Sequence, residues 1–226
     1  ELVRGVMAQI DILISARNDA EVLESACTRL LETGLFAAVW VAQPDVHERV
    51  HPLAAGGNAL DTLSAQSPPL MVSSTQTHAL ARAWHTSEEA QETDPHSPLL
   101  QPWAEYALPG WQPLALVLPL RRNGGRWAAL VLVLFNGDDL DEGLHGLLRR
   151  VGKLIEQALG EIDLKADLEA EQAQQRHLAR HDALTGLPNR LALEHHLPLA
   201  MARARRHKNL LAVGVMDLDD FKPVND

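Results

Sequence analysis

One cysteine, Cys27, stands among 226 residues, so the chain can form neither an internal disulfide nor a multi-cysteine metal site. That scarcity fits a reducing compartment, and a cytoplasmic location is expected. No apolar run approaches the roughly 20 residues needed to span a bilayer, which argues against a membrane-crossing helix in this stretch. Position 1 is Glu rather than Met, and no signal-peptide pattern follows it. The chain therefore reads as an interior fragment of a longer protein. Cations are also too few for nucleic acid: 20 Lys and Arg stand against 30 Asp and Glu, a formal net charge of −10. Binding to DNA or RNA relies on many cation–phosphate contacts. The one basic cluster, Arg203 to Lys208 in "RARRHK", is expected to be a solvated helix face.

With 46% apolar residues, the chain has material for one complete domain and part of another. The whole charge excess lies before residue 181, and residues 181–226 carry six acidic and six basic side chains. An acidic domain is thus joined to a neutral one. Leu2, Val6, Ile10, Leu13 and Ile14 recur at helical spacing and predict a first helix. Asn18 or Asp19 can cap a second, "DAEVLESACTRLLETG", which ends at Gly34 and holds Cys27 on its apolar face. Leu35 to Ala42 and Arg49 to Ala55 read as a strand pair ending at Gly56-Gly57.

Residues 58–110 are irregular, with helical patches at "THALARAW" and "LLQPWAEYAL". Order returns with two apolar strands, Leu114–Leu120 and Trp127–Phe135, joined through Asn123-Gly124, which supplies the positive φ of a tight hairpin. After the acidic residues Asp138 to Glu142 the pattern turns helical to about Arg180. Within it Leu144, Leu148, Val151, Ile155, Ala158 and Ile162 alternate steps of four and three. Such steps suit a parallel two-stranded coiled coil, and equally one helix laying its stripe on its own sheet. The dimer is the expectation, because the helix outlasts one domain's need for cover.

This order of elements, and above all "LALVLPLRRNGGRWAALVLVL", resembles the GAF family of sensor domains. The resemblance implies a central antiparallel sheet with flanking helices over residues 1–143, followed by a helical linker at 144–180. It places any ligand site in the variable middle, 58–110. That middle holds His78, His85 and His96 beside Trp84, Trp103 and Trp111. A haem or other planar cofactor is conceivable there, but histidines among polar residues are ordinarily solvated or hydrogen-bonded. Cys27, on an early helix, is badly placed to attach a bilin. No cyclic-nucleotide signature is visible, and the sensor's ligand is left open, an occluded relay module included.

The second resemblance is more specific. "DALTGLPNR", Asp182 to Arg190, and "DLDDFKPVND", Asp217 to Asp226, are similar to the entry motif and the first catalytic motif of GGDEF-type diguanylate cyclases, in the right order. Residues 181–226 are accordingly expected to be the N-terminal part of a GGDEF α/β domain. The chain as a whole then belongs to the α+β class, with a long coiled-coil linker helix between its parts. Leu210 to Met216 reads as a strand buried on both faces that delivers the carboxylates.

The family condenses two GTP molecules into cyclic di-GMP with hard cations, normally Mg²⁺, which take oxygen ligands. By that resemblance Asp217 is a metal ligand and Leu218 offers its backbone carbonyl. Asn225 reads the guanine edge, Phe221 packs beneath the nucleotide and Lys222 approaches the phosphates. Solvated carboxylates are the plain reading of Asp219 and Asp220. The Gly-Gly-Asp/Glu-Glu-Phe loop is absent from these 226 residues, so the fragment itself is expected to be inactive. Pro198 lies inside the entry helix, where a kink near His195 to Leu197 is expected. The expected function is a homodimeric, sensor-regulated diguanylate cyclase with GTP as substrate. The alternative is a non-catalytic GTP-binding or dimerisation module with a degenerate signature loop, with or without a phosphodiesterase domain attached. Neither a nucleic acid nor a membrane is an expected partner of this fragment.

Overall fold

The computed structural model describes residues 18–57, 59–64, 68–106 and 112–216. The first expected helix, at residues 2–14, lies outside them. Two compact units divide the chain, Glu1–Lys165 and Ala166–Asp226.

The first unit opens with α1, Asp19–Glu32. Asn18 starts it, its Oδ1 accepting from the Glu21 N–H at 3.0 Å while its Nδ2 donates back to Oε1 of Glu21 at 3.0 Å. The first bond satisfies one of the backbone donors that a helix N-terminus otherwise leaves open, and the second holds the two side chains together. The helix ends at Gly34, whose φ of 75° few other residues tolerate. Strand β1, Phe36–Pro44, pairs antiparallel with β2, Val50–Ala55. Gly56 follows at a forced close approach: a Cβ there would sit 2.9 Å from the Cys27 carbonyl oxygen.

The irregular middle contributes α2, Ala59–Ser64, α3, Ala79–Thr86, and a short strand β3, Ala90–Glu92, that has no clear sequence signal. A 3₁₀ turn spans Gln101–Tyr106. Then β4, Leu114–Arg122, and β5, Gly125–Leu134, form the expected hairpin. Asn123 and Gly124 turn it with φ of 53° and 76°, as a primed two-residue turn requires. The sheet runs β2-β1-β5-β4-β3, all antiparallel.

The two faces of this sheet differ in bulk. On one, Leu114, Leu116, Leu118, Leu120, Leu130, Leu132 and Leu134 of the β4–β5 hairpin pack under α1 and the long helix α4, Glu142–Arg180. On the other, the same two strands present Ala115, Val117, Ala129, Val131 and Val133. The helix side is filled by leucine, and the opposite side is lined by smaller residues.

Helix α4 corrects one expectation. Asp141 Oδ1 accepts the Leu144 N–H at 2.7 Å and begins it. Leu144, Leu148, Val151 and Ile155, four of the six heptad residues, are buried within this chain's core, and Ala158 and Ile162 pack against the same cluster. Their apolar surface is thus already covered by the sheet. The exposed leucines of the helix lie further on, at Leu164, Leu168 and Leu178.

In the second unit α5, Arg190–His207, continues through Pro198 as one helix. Arg203, Arg205, Arg206, His207 and Lys208 are exposed, as expected of a solvated face. The buried strand expected at Leu210 to Met216 is not formed: no strand is assigned there, and Leu210, Val215 and Met216 are almost wholly exposed. A strand needs a neighbour to take its backbone hydrogen bonds, and no described strand pairs with this segment.

Candidate functional site

The motif "HDALTGLPNR" folds into a tight connection between α4 and α5. Asp182 organises it: Oδ1 accepts from the Thr185 N–H at 2.9 Å and from its Oγ1 at 2.8 Å. The Asp182 carbonyl accepts the Gly186 N–H at 2.9 Å, and the Asp182 N–H donates to the Leu187 carbonyl at 2.8 Å. Gly186 has a φ of 68°. These bonds to Thr185 hold the Asp182 carboxyl below its usual range. Asn189 then joins the two helices: Nδ2 donates to the Ala179 carbonyl at 2.9 Å, and Oδ1 caps α5 by accepting from the Ala192 N–H at 3.1 Å. Each polar residue of the motif that makes these bonds has a backbone partner, so the motif builds the corner rather than the chemistry.

The residues assigned to chemistry from the sequence, Asp217, Leu218, Phe221, Lys222 and Asn225, lie outside the described residues. So does Trp111. Among the described residues no cluster of three or more His, Cys, Asp or Glu is arranged to hold a metal ion.

On the small-residue face of the sheet, the histidines that invited a cofactor are engaged with backbone. His78 caps α3, its Nδ1 accepting from the Ala81 N–H at 3.2 Å, while Nε2 donates to the Met71 carbonyl at 2.7 Å. That pattern fixes the neutral tautomer, and burial pushes its pKa down. His85 Nε2 donates to the Val72 carbonyl at 2.6 Å. His96 is exposed in the loop before the 3₁₀ turn. The Nε2 atoms of His78 and His85 are therefore not free for a metal. Two indoles are buried on this face: Trp40, which the sequence did not single out, and Trp103 are each 1% exposed, and neither indole N–H has a hydrogen-bond partner among the described residues.

Cys27 lies on the opposite face, packed in the leucine-rich core. Burial, and secondarily Glu24, pushes its thiol up to about 12. It stays protonated and unreactive at neutral pH.

A second unforeseen group sits where α4 leaves the sheet. Arg122, at the end of β4, donates through Nη1 to Asp19 Oδ2 at 2.5 Å, and through Nη2 to Asp163 Oδ1 at 2.5 Å. Nε donates to Asp163 Oδ2 at 2.8 Å, and the guanidinium stacks 5.1 Å from the Trp127 ring centroid. One cation thus joins the start of α1, the hairpin and α4. The hydrogen bonds raise the Arg122 pKa and lower that of Asp163. Further back, Arg149 pairs with Glu89, and His145 Nε2 lies 3.1 Å from the same carboxylate. Sequence spacing could not reveal these pairs, whose partners are 41 to 103 residues apart.

The strand order, the helices α1 and α4 on one face and the irregular cover on the other are matched by known proteins. The family described as "GAF domain" matches residues 16–160. This chain belongs to the GAF domain family. Behind its GAF domain, residues 179–226 match "Diguanylate cyclase, GGDEF domain" over a short stretch. The diguanylate cyclase TpbB of Pseudomonas aeruginosa is 40% identical over 80 residues, 35% of this chain and 18% of that protein. The diguanylate cyclase DgcP of the same organism is 40% identical over 83 residues, 37% of this chain and 11% of that protein. The chain thus spans less than a fifth of the curated relatives it matches.

Among solved structures, the free methionine-R-sulfoxide reductase of Neisseria meningitidis superposes with a TM-score of 0.54 at 16% identity, covering 73% of this chain and 91% of that one. The GAF domain of an Acinetobacter phosphoenolpyruvate-protein phosphotransferase gives 0.53 at 10% identity, covering 74% and 97%. Likeness at this distance carries the GAF fold and nothing further. No described helix is long and apolar enough to cross a membrane.

Proposed function

We propose that this chain is the sensing and coupling part of a diguanylate cyclase, in which the GAF domain governs a GGDEF domain through α4. The observation that carries the reading is the order on one chain: a GAF domain, a 39-residue helix, then the corner built by Asp182 and Asn189 at the start of a GGDEF domain. The family's reaction joins two GTP molecules, each 3′-hydroxyl attacking the other's α-phosphate as pyrophosphate leaves. Each cyclase domain holds one GTP, so two domains must meet.

Pairing is assigned to α4 beyond the sheet. Leu164, Leu168 and Leu178 are exposed and fall on one heptad-compatible series, with Glu171 and Gln175 at the intervening positions. The residues from Leu144 to Ile155 are not available for it.

By resemblance to the family motif, Asp217 and the Leu218 carbonyl would supply oxygen ligands, the donor type that suits Mg²⁺. When bound, the ion offsets phosphate charge. Asn225 reads guanine through its paired donor and acceptor, Phe221 packs under the nucleotide, and Lys222 faces the phosphates. The test uses a longer protein that contains the complete cyclase domain, with product followed by chromatography. Asp217→Asn is expected to abolish cyclic di-GMP synthesis with an unchanged thermal melt, and near-normal turnover would reject the metal role. Asn225→Ala is expected to weaken GTP binding about ten- to hundredfold, the cost of leaving base edges unpaired. A mutant that kept its full preference for GTP over ATP would place base reading elsewhere.

A further inference from the structure

Helix α4 loses its hydrophobic hold before the first unit ends. Its last buried side chain is Leu159, and after that only Ile162 packs against the leucine-rich core, yet the unit runs to Lys165. Polar contacts from the end of β4 hold these final turns instead. Strand β3 pairs with β4 only as far as Val117, and further along β4 the Arg121 N–H donates to Glu156 Oε1 at 2.7 Å. The next residue, Arg122, donates to Asp163 through Nε at 2.8 Å and Nη2 at 2.5 Å. Glu156 and Asp163 stand seven residues apart, two turns on one face of α4.

The hairpin is shaped for this contact. Leu120 pairs with Ala128 but Arg121 pairs with Arg126, so Trp127 is an extra residue in β5, and a bulge re-aims its side chain. Trp127 thereby joins Ala128 against the leucine-rich core, where its ring lies 5.1 Å from the Arg122 guanidinium. The Arg122 and Asp163 side chains are 17% and 24% exposed, which spares the pair much of the screening that weakens surface ion pairs. Asp19, at the start of α1, takes Nη1 of the same guanidinium.

We propose that Arg122 is the latch of the coupling helix: its hold on Asp163 keeps residues 160–165 of α4 docked on the GAF domain, and its release is how that domain alters what it passes on. Segments with few buried apolar contacts open at low free energy, so one ion pair placed there decides between the docked and the open state. The body of α4, buried from Leu144 to Leu159, stays on the sheet in both. This inference rests on the reading of α4 as the coupling element, and it names the contact that regulates it.

The test removes one carboxylate at a time from the same cation, Asp163→Asn on α4 and Asp19→Asn on α1. Asparagine matches aspartate in shape and closely in helix propensity, so the change is confined to charge. Hydrogen exchange of the backbone amides is followed in the 226-residue chain, and cyclic di-GMP synthesis in a longer protein with the complete cyclase domain. Asp163→Asn is expected to speed exchange about five- to tenfold at residues 162–165, between the worth of an exposed ion pair and that of a charge-assisted hydrogen bond. The amides from Leu148 to Ile155 should exchange as in wild type, and the rate of synthesis should change severalfold. Asp19→Asn leaves Arg122 on Asp163, so it should alter exchange in the first turn of α1 alone and leave synthesis as it was.

Wild-type exchange at 162–165 in Asp163→Asn would overturn the latch. So would faster exchange along the whole of α4 in both variants, which is what a purely structural ion pair gives. Faster local exchange with an unchanged rate of synthesis would overturn the regulatory role. A longer wild-type protein that made no cyclic di-GMP would refute the cyclase reading, and the exchange measurement would still decide the latch.

Discussion

Replacing Leu148 by alanine separates the two roles that the apolar stripe of α4 could serve. Leu148 is fully buried between α4 and the sheet, in a cluster with Leu118, Leu120 and Leu132. The substitution removes three carbons, worth roughly 0.8 kcal/mol each and so about 2.4 kcal/mol of transfer free energy. The rigid strands beneath cannot collapse fully into the space, and the cavity raises the cost to about 3–4 kcal/mol. For a unit of this size, 3 kcal/mol lowers Tm by about 6–12 °C. All five tryptophans lie in the first unit, so their fluorescence follows its unfolding without a contribution from the second. Leu168→Ala is the matched comparison: its exposed side chain should change that melt by less than about 0.5 kcal/mol while loosening the proposed dimer. Light scattering across a concentration series reads the association state. If Leu148→Ala left the melt unchanged and dissociated the dimer, the residues from 144 to 155 would be an interchain seam and the assignment to the sheet would be refuted.

Three further outcomes follow from the polar groups. Arg122→Met should destabilise the first unit by about 1–2 kcal/mol, since it leaves Asp19 and Asp163 facing one another without their cation; urea unfolding followed by tryptophan fluorescence checks this. Arg122 lowers the Asp163 pKa, so the pair's contribution is complete above the ordinary carboxylate value near 4 and is lost as pH falls through the depressed folded value. Wild type should therefore lose stability more steeply than Arg122→Met between about pH 4 and pH 2, and equal slopes would count against the pair. Asp182→Ala should speed hydrogen exchange at the Thr185 and Gly186 amides while leaving the tryptophan-monitored melt unchanged, because its bonds close the corner between α4 and α5 alone.

The parts legible in the sequence are those whose signal is local. The cap expected at Asn18 or Asp19, the Asn123-Gly124 turn and the two apolar runs at 114–120 and 127–135 each rest on local signals, and the structure has Asn18 as the cap and a hairpin over those runs. The motif from Asp182 to Arg190 was legible by resemblance, and its bonds now supply the reason: Asp182, Gly186 and Asn189 each occupy a position that the turn or cap requires. Strand β3 was invisible because Ala90-Gln91-Glu92 has no apolar alternation, and it exists only through pairing with Val117, Leu116 and Ala115. The Arg122 clamp was invisible for the same reason, since it depends on residues brought together across the fold.

The stripe on α4 shows where periodicity itself fails to decide. A seven-residue repeat and the 3.6-residue period of a helix differ by about 20° per heptad. From Leu144 to Ile162 the drift amounts to about 50°, well inside the stripe of about 100° or more that a helix buries on a sheet. Both arrangements therefore demand the same residues over this length, and counting steps cannot choose between them. Composition of the opposing surface can. The β4–β5 hairpin turns seven leucines toward the face that α1 and α4 cover together, and that surface has to be covered by the chain that carries it. Once the stripe is assigned there, any pairing between chains must lie on the later turns, where the leucines are fewer and polar residues intervene. A seam of that kind is weak by construction, and weakness suits a coupling element whose two states differ by little free energy.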